Sequence, residues 1–327
     1  MRPRFQHIAL RVADLERAVR FYCDGFDAMT VKIGVVDGGG AIGSMFTGNE
    51  TANARFAQLA VGGDRGIELF EFDSGVPIPR SDQIRDGFMH FGFQVDDVPA
   101  ALERAEHSGG RRCFPIGEIG ASGPYVFLRD PDDHVIELND GSWERLMRRV
   151  VDGETHATSP PIGRAALHHI GIRVRDMRLA ANGYREMFGA VVRGFIDAPC
   201  EIAQKHFEGP ADTTVGIAFL DLAPGFGCEL FEFSHPKAAF APAMQSHDAV
   251  MHIGFQSVDL ERTSADILRN GGRPTGTPNA AKASLAEYAD TDGHTIELTT
   301  MDFATYAESW SHSVGVSPRP HLRRSGS

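Results

Sequence analysis

The chain alternates between apolar and polar positions from its first strand. In QHIALRV, Ile8, Leu10 and Val12 fall on one face of an extended segment and His7, Ala9 and Arg11 on the other, because successive strand side chains point to opposite sides. The period then changes. Leu15, Ala18, Val19 and Tyr22 recur at helical spacing behind Asp14, whose carboxylate is placed to cap the first free backbone N–H groups. This strand-then-helix pattern returns as HFGFQVDDVPAALERA from His90, HIGIRVRDMRLA from His169 and HIGFQSVDLERTSADIL from His252. Asp97, Asp176 and Asp259 stand where Asp14 does, and Pro99 suits a first helical turn. Gly109-Gly110 and Gly271-Gly272 stop the second and fourth helices. Each repeat closes on a strand bearing a glutamate: GIELFEF with Glu68, HVIELND with Glu137, CELFEF with Glu229 and HTIELTT with Glu297.

The offsets agree between halves. His7 to His90 and His169 to His252 are both 83 residues, and His7 to Glu68 is 61 against 60 for His169 to Glu229. Four matched sets predict an α+β protein of four βαβββ units in two homologous halves, 1–142 and 166–302, with curved mixed sheets around site cavities. The linker 143–165 holds a short amphipathic piece (Trp143, Leu146, Met147, Val150) followed by a loop rich in Pro, Gly, Ser and Thr. The stretch 303–327 reads as a frayed tail without a core-forming pattern. The loops Asp37–Asn53 and Asp197–Thr213 precede the ELFEF strands and read as surface loops or lids.

Composition narrows the partners. Hydrophobic residues make up 42% and charged ones 23%, a globular mix, and a net charge of −12 argues against nucleic acid or an anionic membrane as partner. No apolar run approaches the roughly 18 residues of a membrane span. Four cysteines without a CxxC pair fit thiols in a reducing cytoplasm. The expectation is a cytoplasmic protein, monomer or homodimer, with a small-molecule substrate.

Strand parity puts each histidine on the face opposite the apolar one, together with Arg11, Gln94, Arg173 and Gln256. It likewise sets Glu137 and Glu297 against core residues on either side, where an unpaired carboxylate is costly to bury. Imidazole and carboxylate without thiolate suit a divalent Zn, Ni, Co, Fe or Mn ion in a site that keeps positions for water or substrate.

HIALRVADLERAVRFYCDGF, the ELFEF strand, HFGFQVDD, FLRDPDDHVIEL and DTDGHTIEL together resemble the vicinal oxygen chelate superfamily, which includes glyoxalase I, bleomycin-resistance proteins and extradiol dioxygenases. The resemblance covers nearly the whole chain outside linker and tail. It implies metal ligands at His7, Glu68, His90 and Glu137 and at His169, Glu229, His252 and Glu297, with the four glutamates as catalytic carboxylates and Arg11, Gln94, Arg173, Gln256 and Glu287 toward substrate. Units pair either within a half or across halves, one with four and two with three, as in fused-dimer glyoxalases. Where ring-cleaving relatives carry a tyrosine, this chain has Phe127 and Glu287. The implied activity is a metal-dependent epimerase or isomerase working through an enediolate on a small 2-hydroxyketone or 2-oxo compound. An extradiol-type dioxygenase and a non-catalytic ligand-binding resistance protein are the alternatives. Glu287 also predicts unequal sites, with Glu297→Gln more damaging than Glu137→Gln.

Overall fold

The computed structural model describes residues 2–36, 53–73, 77–78, 87–118, 123–154, 162–198, 200, 206–207, 210, 212–234, 249–275 and 284–313. The lid reading of Asp37–Asn53 lies outside these residues except at Asn53, and that of Asp197–Thr213 does so in part. The first unit contains β1 (Arg4–Arg11), α1 (Leu15–Phe26), β2 (Met29–Val36), β3 (Ala54–Ala60) and β4 (Gly66–Phe72). The second contains β5 (Phe88–Gln94), α2 (Val98–His107), the two-residue strands β6 (Arg111–Arg112) and β7 (Gly117–Glu118), β8 (Pro124–Arg129) and β9 (Val135–Asn139). After α3 (Trp143–Val150), the third unit contains β10 (Ala166–Arg173), α4 (Met177–Phe188), β11 (Val191–Ala198), β12 (Val215–Ala223) and β13 (Phe226–Phe233). The fourth contains β14 (Val250–Gln256), α5 (Leu260–Arg269), β15 (Arg273–Pro274), β16 (Leu285–Ala289) and β17 (Thr295–Thr299), and α6 (Phe303–Ser313) follows.

Local chemistry sets these boundaries. Asp14 accepts from Arg17 N, Asp97 from Ala100 N, Asp176 from Arg178 N and Leu179 N, and Asp259 from Arg262 N, satisfying helix N–H groups that have no intrahelical partner. Gly189 ends α4 in the left-handed region at φ 68°, where glycine carries no steric penalty, and α1 makes the same stop with Asp27 at φ 56°.

Pairing crosses the halves. β1 runs parallel to β4 and antiparallel to β14, giving an eight-stranded sheet ordered β15-β16-β17-β14-β1-β4-β3-β2 from units one and four. Units two and three form the other sheet, ordered β11-β12-β13-β10-β5-β9-β8-β6 with β7 on β8. The largest apolar cluster among the described residues draws on both sheets and on the helices, including Ile8, Leu10, Phe26, Phe93, Phe188 and Phe255. Phe26 stacks on Phe93 at 4.5 Å and Phe188 on Phe255 at 4.4 Å, joining units from opposite sheets. Two polar straps reinforce that junction. His134 bonds Asp130 Oδ2 at 2.7 Å and the Ala249 carbonyl at 3.0 Å, while Tyr22 donates to Asp130 Oδ2 at 2.8 Å. His294, Asp290 and Tyr184 repeat the arrangement.

Residues 303–313 correct the reading of a patternless tail. Phe303, Tyr306, Ala307 and Trp310 share one face of α6 and are buried. Three aromatic positions over two turns are too short a period to stand out in sequence, and the helix depends on the sheet it covers. Gly66 leaves room for it: a Cβ there would lie 2.0 Å from Phe303 Cζ, as one at Gly227 would lie 1.9 Å from Trp143 Cε2 under α3.

Candidate metal centres

The antiparallel strand pairs at the middle of each sheet bring the histidines together. His169 lies opposite Gly92 and His90 opposite Gly171, so each imidazole rests over a residue without a side chain. Their Nε2 atoms stand 3.3 Å apart. From the parallel neighbours β9 and β13 come Glu137, whose Oε2 is 3.4 Å from His90 Nε2 and 3.3 Å from His169 Nε2, and Glu229, whose Oε2 is 3.5 and 3.9 Å from the same atoms. One donor atom from each of these four residues falls within 4.8 Å of all the others.

The eight-stranded sheet repeats the arrangement with His7, Glu68, His252 and Glu297. The histidine Nε2 atoms are 3.1 Å apart, and Glu68 Oε2 lies 3.4 Å from His7 and 3.6 Å from His252. Glu297 is farther, at 3.7 and 3.8 Å, and only His7, Glu68 and His252 make the compact group. His252 packs opposite Ala9 here, where the other sheet has Gly171.

Electrostatics favours neutral imidazoles at His7 and His90. Burial lowers His7 and His90 to about 4, leaving Nε2 unprotonated and able to act as a ligand near neutral pH. His7 Nδ1–H donates to Gln6 Oε1 at 3.0 Å, the tautomer that turns the Nε2 lone pair into the cavity. His168 Nδ1 meets His169 Nδ1 at 2.7 Å at the corresponding place. Burial opposes the charge of Glu137, but hydrogen bonding and attraction from His169, with His90 and Asn139, bring it down to about 2. Burial raises Glu229 to about 7, with repulsion from Glu137 adding to it against the pull of His169. Glu297 lies well above the carboxylate range through burial and the nearby Glu68 and Glu287.

The supporting shell was not legible in the sequence. Gln58 donates to Glu68 Oε1 at 2.6 Å, Asn139 to Glu137 Oε1 at 2.9 Å and Tyr306 to Glu297 Oε2 at 3.2 Å. Tyr125 and His206, with hydroxyl and Nε2 3.1 Å apart, form an aromatic cluster with Phe114 and Phe127, and Phe127 lies opposite Glu137 in register. No motif marks Gln58, Asn139, Tyr125 or Tyr306; strand register brings in the first three and the packing of α6 the last. Of the residues expected toward substrate, Glu287 is buried opposite Glu297 in register. Arg11 donates to the Pro77 carbonyl at 3.3 Å, and Arg173 is buried at the end of β10. Gln94 and Gln256 end their strands half-buried.

A family model described as the Glyoxalase/Bleomycin resistance protein/Dioxygenase superfamily matches residues 4–138 and again 166–298. A probable chloroplastic lactoylglutathione lyase of Arabidopsis thaliana is 23% identical over 312 residues, covering 92% of this chain and 74% of that protein. A 2-epi-5-epi-valiolone epimerase of an Actinomyces species is 32% identical over 144 residues, 40% of this chain and 76% of that protein. Among solved structures, glyoxalase I from Zea mays superposes with a TM-score of 0.64 at 20% identity, over 96% of this chain and 97% of that one. No helix of the described residues is long and apolar enough to cross a membrane.

Proposed function

The chain belongs to the Glyoxalase/Bleomycin resistance protein/Dioxygenase superfamily, and from that membership we propose that it is a metal-dependent isomerase or epimerase acting through an enediolate on a small 2-hydroxyketone or 2-oxo compound. The observation that carries the reading is the convergence of His90, Glu137, His169 and Glu229, two imidazoles and two carboxylates with no thiolate, all buried and with donor atoms within 4.8 Å of one another. That donor set fits a divalent Zn, Ni, Co, Fe or Mn ion. Such an ion, when bound, supplies Lewis-acid stabilisation of negative charge developing on two adjacent substrate oxygens.

The protein's own groups divide the remaining work. Asn139 and His169 hold Glu137 in place and ionised. Glu229 is the more exposed carboxylate, with 11% side-chain exposure against 6% for Glu137, and is the freer to turn toward a substrate carbon and take its proton. Return of that proton to the neighbouring carbon is isomerisation, and delivery of a solvent-derived proton to the opposite face of the same carbon, with Glu229 losing its own to solvent, is epimerisation. The aromatic cluster of Phe114, Tyr125, Phe127 and His206 packs beside Glu137, where Phe127 lies opposite it in register, and in this reading serves to exclude water and orient the substrate. The names of the relatives, a lactoylglutathione lyase and a valiolone epimerase, support this class. Four free cysteines support a reducing, cytoplasmic setting.

The test is to incubate metal-loaded protein in deuterium oxide with a glutathione adduct of a 2-oxoaldehyde and, separately, with a keto-cyclitol. Proton NMR should show product with label at the carbon next to the carbonyl. Stoichiometric oxygen uptake during turnover would instead establish ring-cleaving chemistry and overturn the reading.

A further inference from the structure

The two ligand sets differ in what stands over them. Every ligand side chain on the eight-stranded sheet has 0% exposure, whereas Glu137 and Glu229 keep 6% and 11%. The cover is α6. Tyr306 lies parallel to the His7 ring, with centroids 5.4 Å apart and planes 13° apart, and its hydroxyl donates to Glu297 Oε2. Trp310 packs on Phe56 at 4.9 Å and on Phe70 at 6.0 Å, and Phe303 fills the space above Gly66. On the other sheet α3 begins at the same distance from its strand, Asn139 to Trp143 as Thr299 to Phe303. It therefore presents Trp143, Leu146 and Val150 where α6 presents Phe303, Tyr306 and Trp310. Leucine at the tyrosine position has no hydroxyl to reach a carboxylate.

We propose that His7, Glu68, His252 and Glu297 form a closed structural metal site, in which a divalent cation is sealed beneath Tyr306 and ties the last helix of the described chain to its first strand. The inference rests on the reading that both sets hold a divalent metal, and it assigns them different jobs. A substrate with two adjacent oxygens needs two open coordination positions and a path to them. Here the phenol and the aromatic face of α6 take that space, and Glu297 is held by the phenol 3.7 to 3.8 Å from the two histidines. Release of the ion requires α6 to lift. Exposing even one buried aromatic side chain lowers the open population about 10- to 100-fold.

Zinc release to a chromogenic chelator tests this without any substrate. His90→Ala disables the nine-stranded site and His252→Ala the eight-stranded one, leaving one intact set in each variant. Zinc should leave the His90→Ala protein about 10- to 100-fold more slowly than the His252→Ala protein, and Tyr306→Leu placed in the His90→Ala background should remove most of that difference. Unsubstituted protein, which avoids any folding defect in the variants, should release two equivalents in two phases. Equal rates in the two single variants, a single phase in the unsubstituted protein, or zinc held by His252→Ala but not by His90→Ala would overturn the closed site. If neither the variants nor the unsubstituted protein bind zinc, nickel, cobalt, iron or manganese, the metal reading fails together with it.

Discussion

Gly92→Ala is a one-atom perturbation aimed at a metal ligand without touching it. A Cβ built at Gly92 would lie 2.1 Å from His169 Cε1, 2.3 Å from Nδ1 and 2.9 Å from Nε2. Carbon atoms settle at about 3.5 Å or more, so either the ring retreats by more than about 1 Å or β5 and β10 separate. The ring has little freedom, with His168 Nδ1 at 2.7 Å on one side and Trp143 at 5.8 Å between centroids on the other. Overpacking of this kind costs about 1–3 kcal/mol, or several degrees in melting temperature for a chain of this length. Metal sites tolerate ligand displacements of only about 0.2 Å, so affinity at the nine-stranded site should fall at least about 10- to 100-fold. Ala9 opposite His252 shows that a methyl can stand across from one of these rings. Gly92 has no such precedent, since its counterpart Gly254 is equally tight, with a built Cβ 2.0 Å from His7 Cε1. The assay is metal content after dialysis against a competing chelator, with a thermal melt alongside. Gly183→Ala in α4 is the control: its Cβ meets only Met187 Cε at 3.6 Å, and it should raise stability by about 0.5–1 kcal/mol. A Gly92→Ala protein that binds metal with unchanged affinity would refute the argument from close approach.

Glu137→Gln should lower turnover at least about 100-fold, as loss of a carboxylate at the reacting centre does, while Glu297→Gln should cost much less. This reverses the order expected from Glu287, because Glu287 and Glu297 lie buried together on the sheet that α6 covers; steady-state rates of the two variants decide it. Burial opposes the charge on His134 and His294, but Asp130 and Asp290 raise both above 6.5, so their contribution to stability is complete below about 6.5 and is lost as pH rises through the folded values. Asp130 and Asp290 are themselves lowered, so their contribution is lost as pH falls below the ordinary aspartate value. The melting temperature should therefore decline on the alkaline side, and a double variant Asp130→Asn with Asp290→Asn that declines just as steeply would refute the assignment. Asp176→Ala removes the cap on Arg178 N and Leu179 N and should cost about 1 kcal/mol in a denaturant melt, with loss of turnover no larger than the loss of folded protein.

The four strand-helix repeats and their aspartate caps were legible in the sequence, because each depends on a local period or a short-range bond, and the eight candidate ligands came with the family resemblance. Ile8, Leu10 and Val12 alternate whatever lies beside them, and Asp14 reaches Arg17 N within one turn. The pairing of units was not legible. Within-half and across-half arrangements use the same strands with the same faces, and only the antiparallel contacts of β1 with β14 and β5 with β10 choose between them. The supporting residues share that character. Gln58, Asn139 and Tyr306 are ordinary polar or aromatic residues until strand register, or for Tyr306 the docking of α6, sets each beside a particular carboxylate. Over 303–313 the reading as a tail failed for the same reason, since Phe303, Tyr306 and Trp310 make a short, weak pattern whose stability comes from Gly66, Phe56 and Phe70, more than 200 residues away in the chain. Chemistry encoded by neighbours in the chain was determined by the sequence; which of the two sites lies closed was decided by tertiary structure, because it turns on contacts between the two ends of the chain.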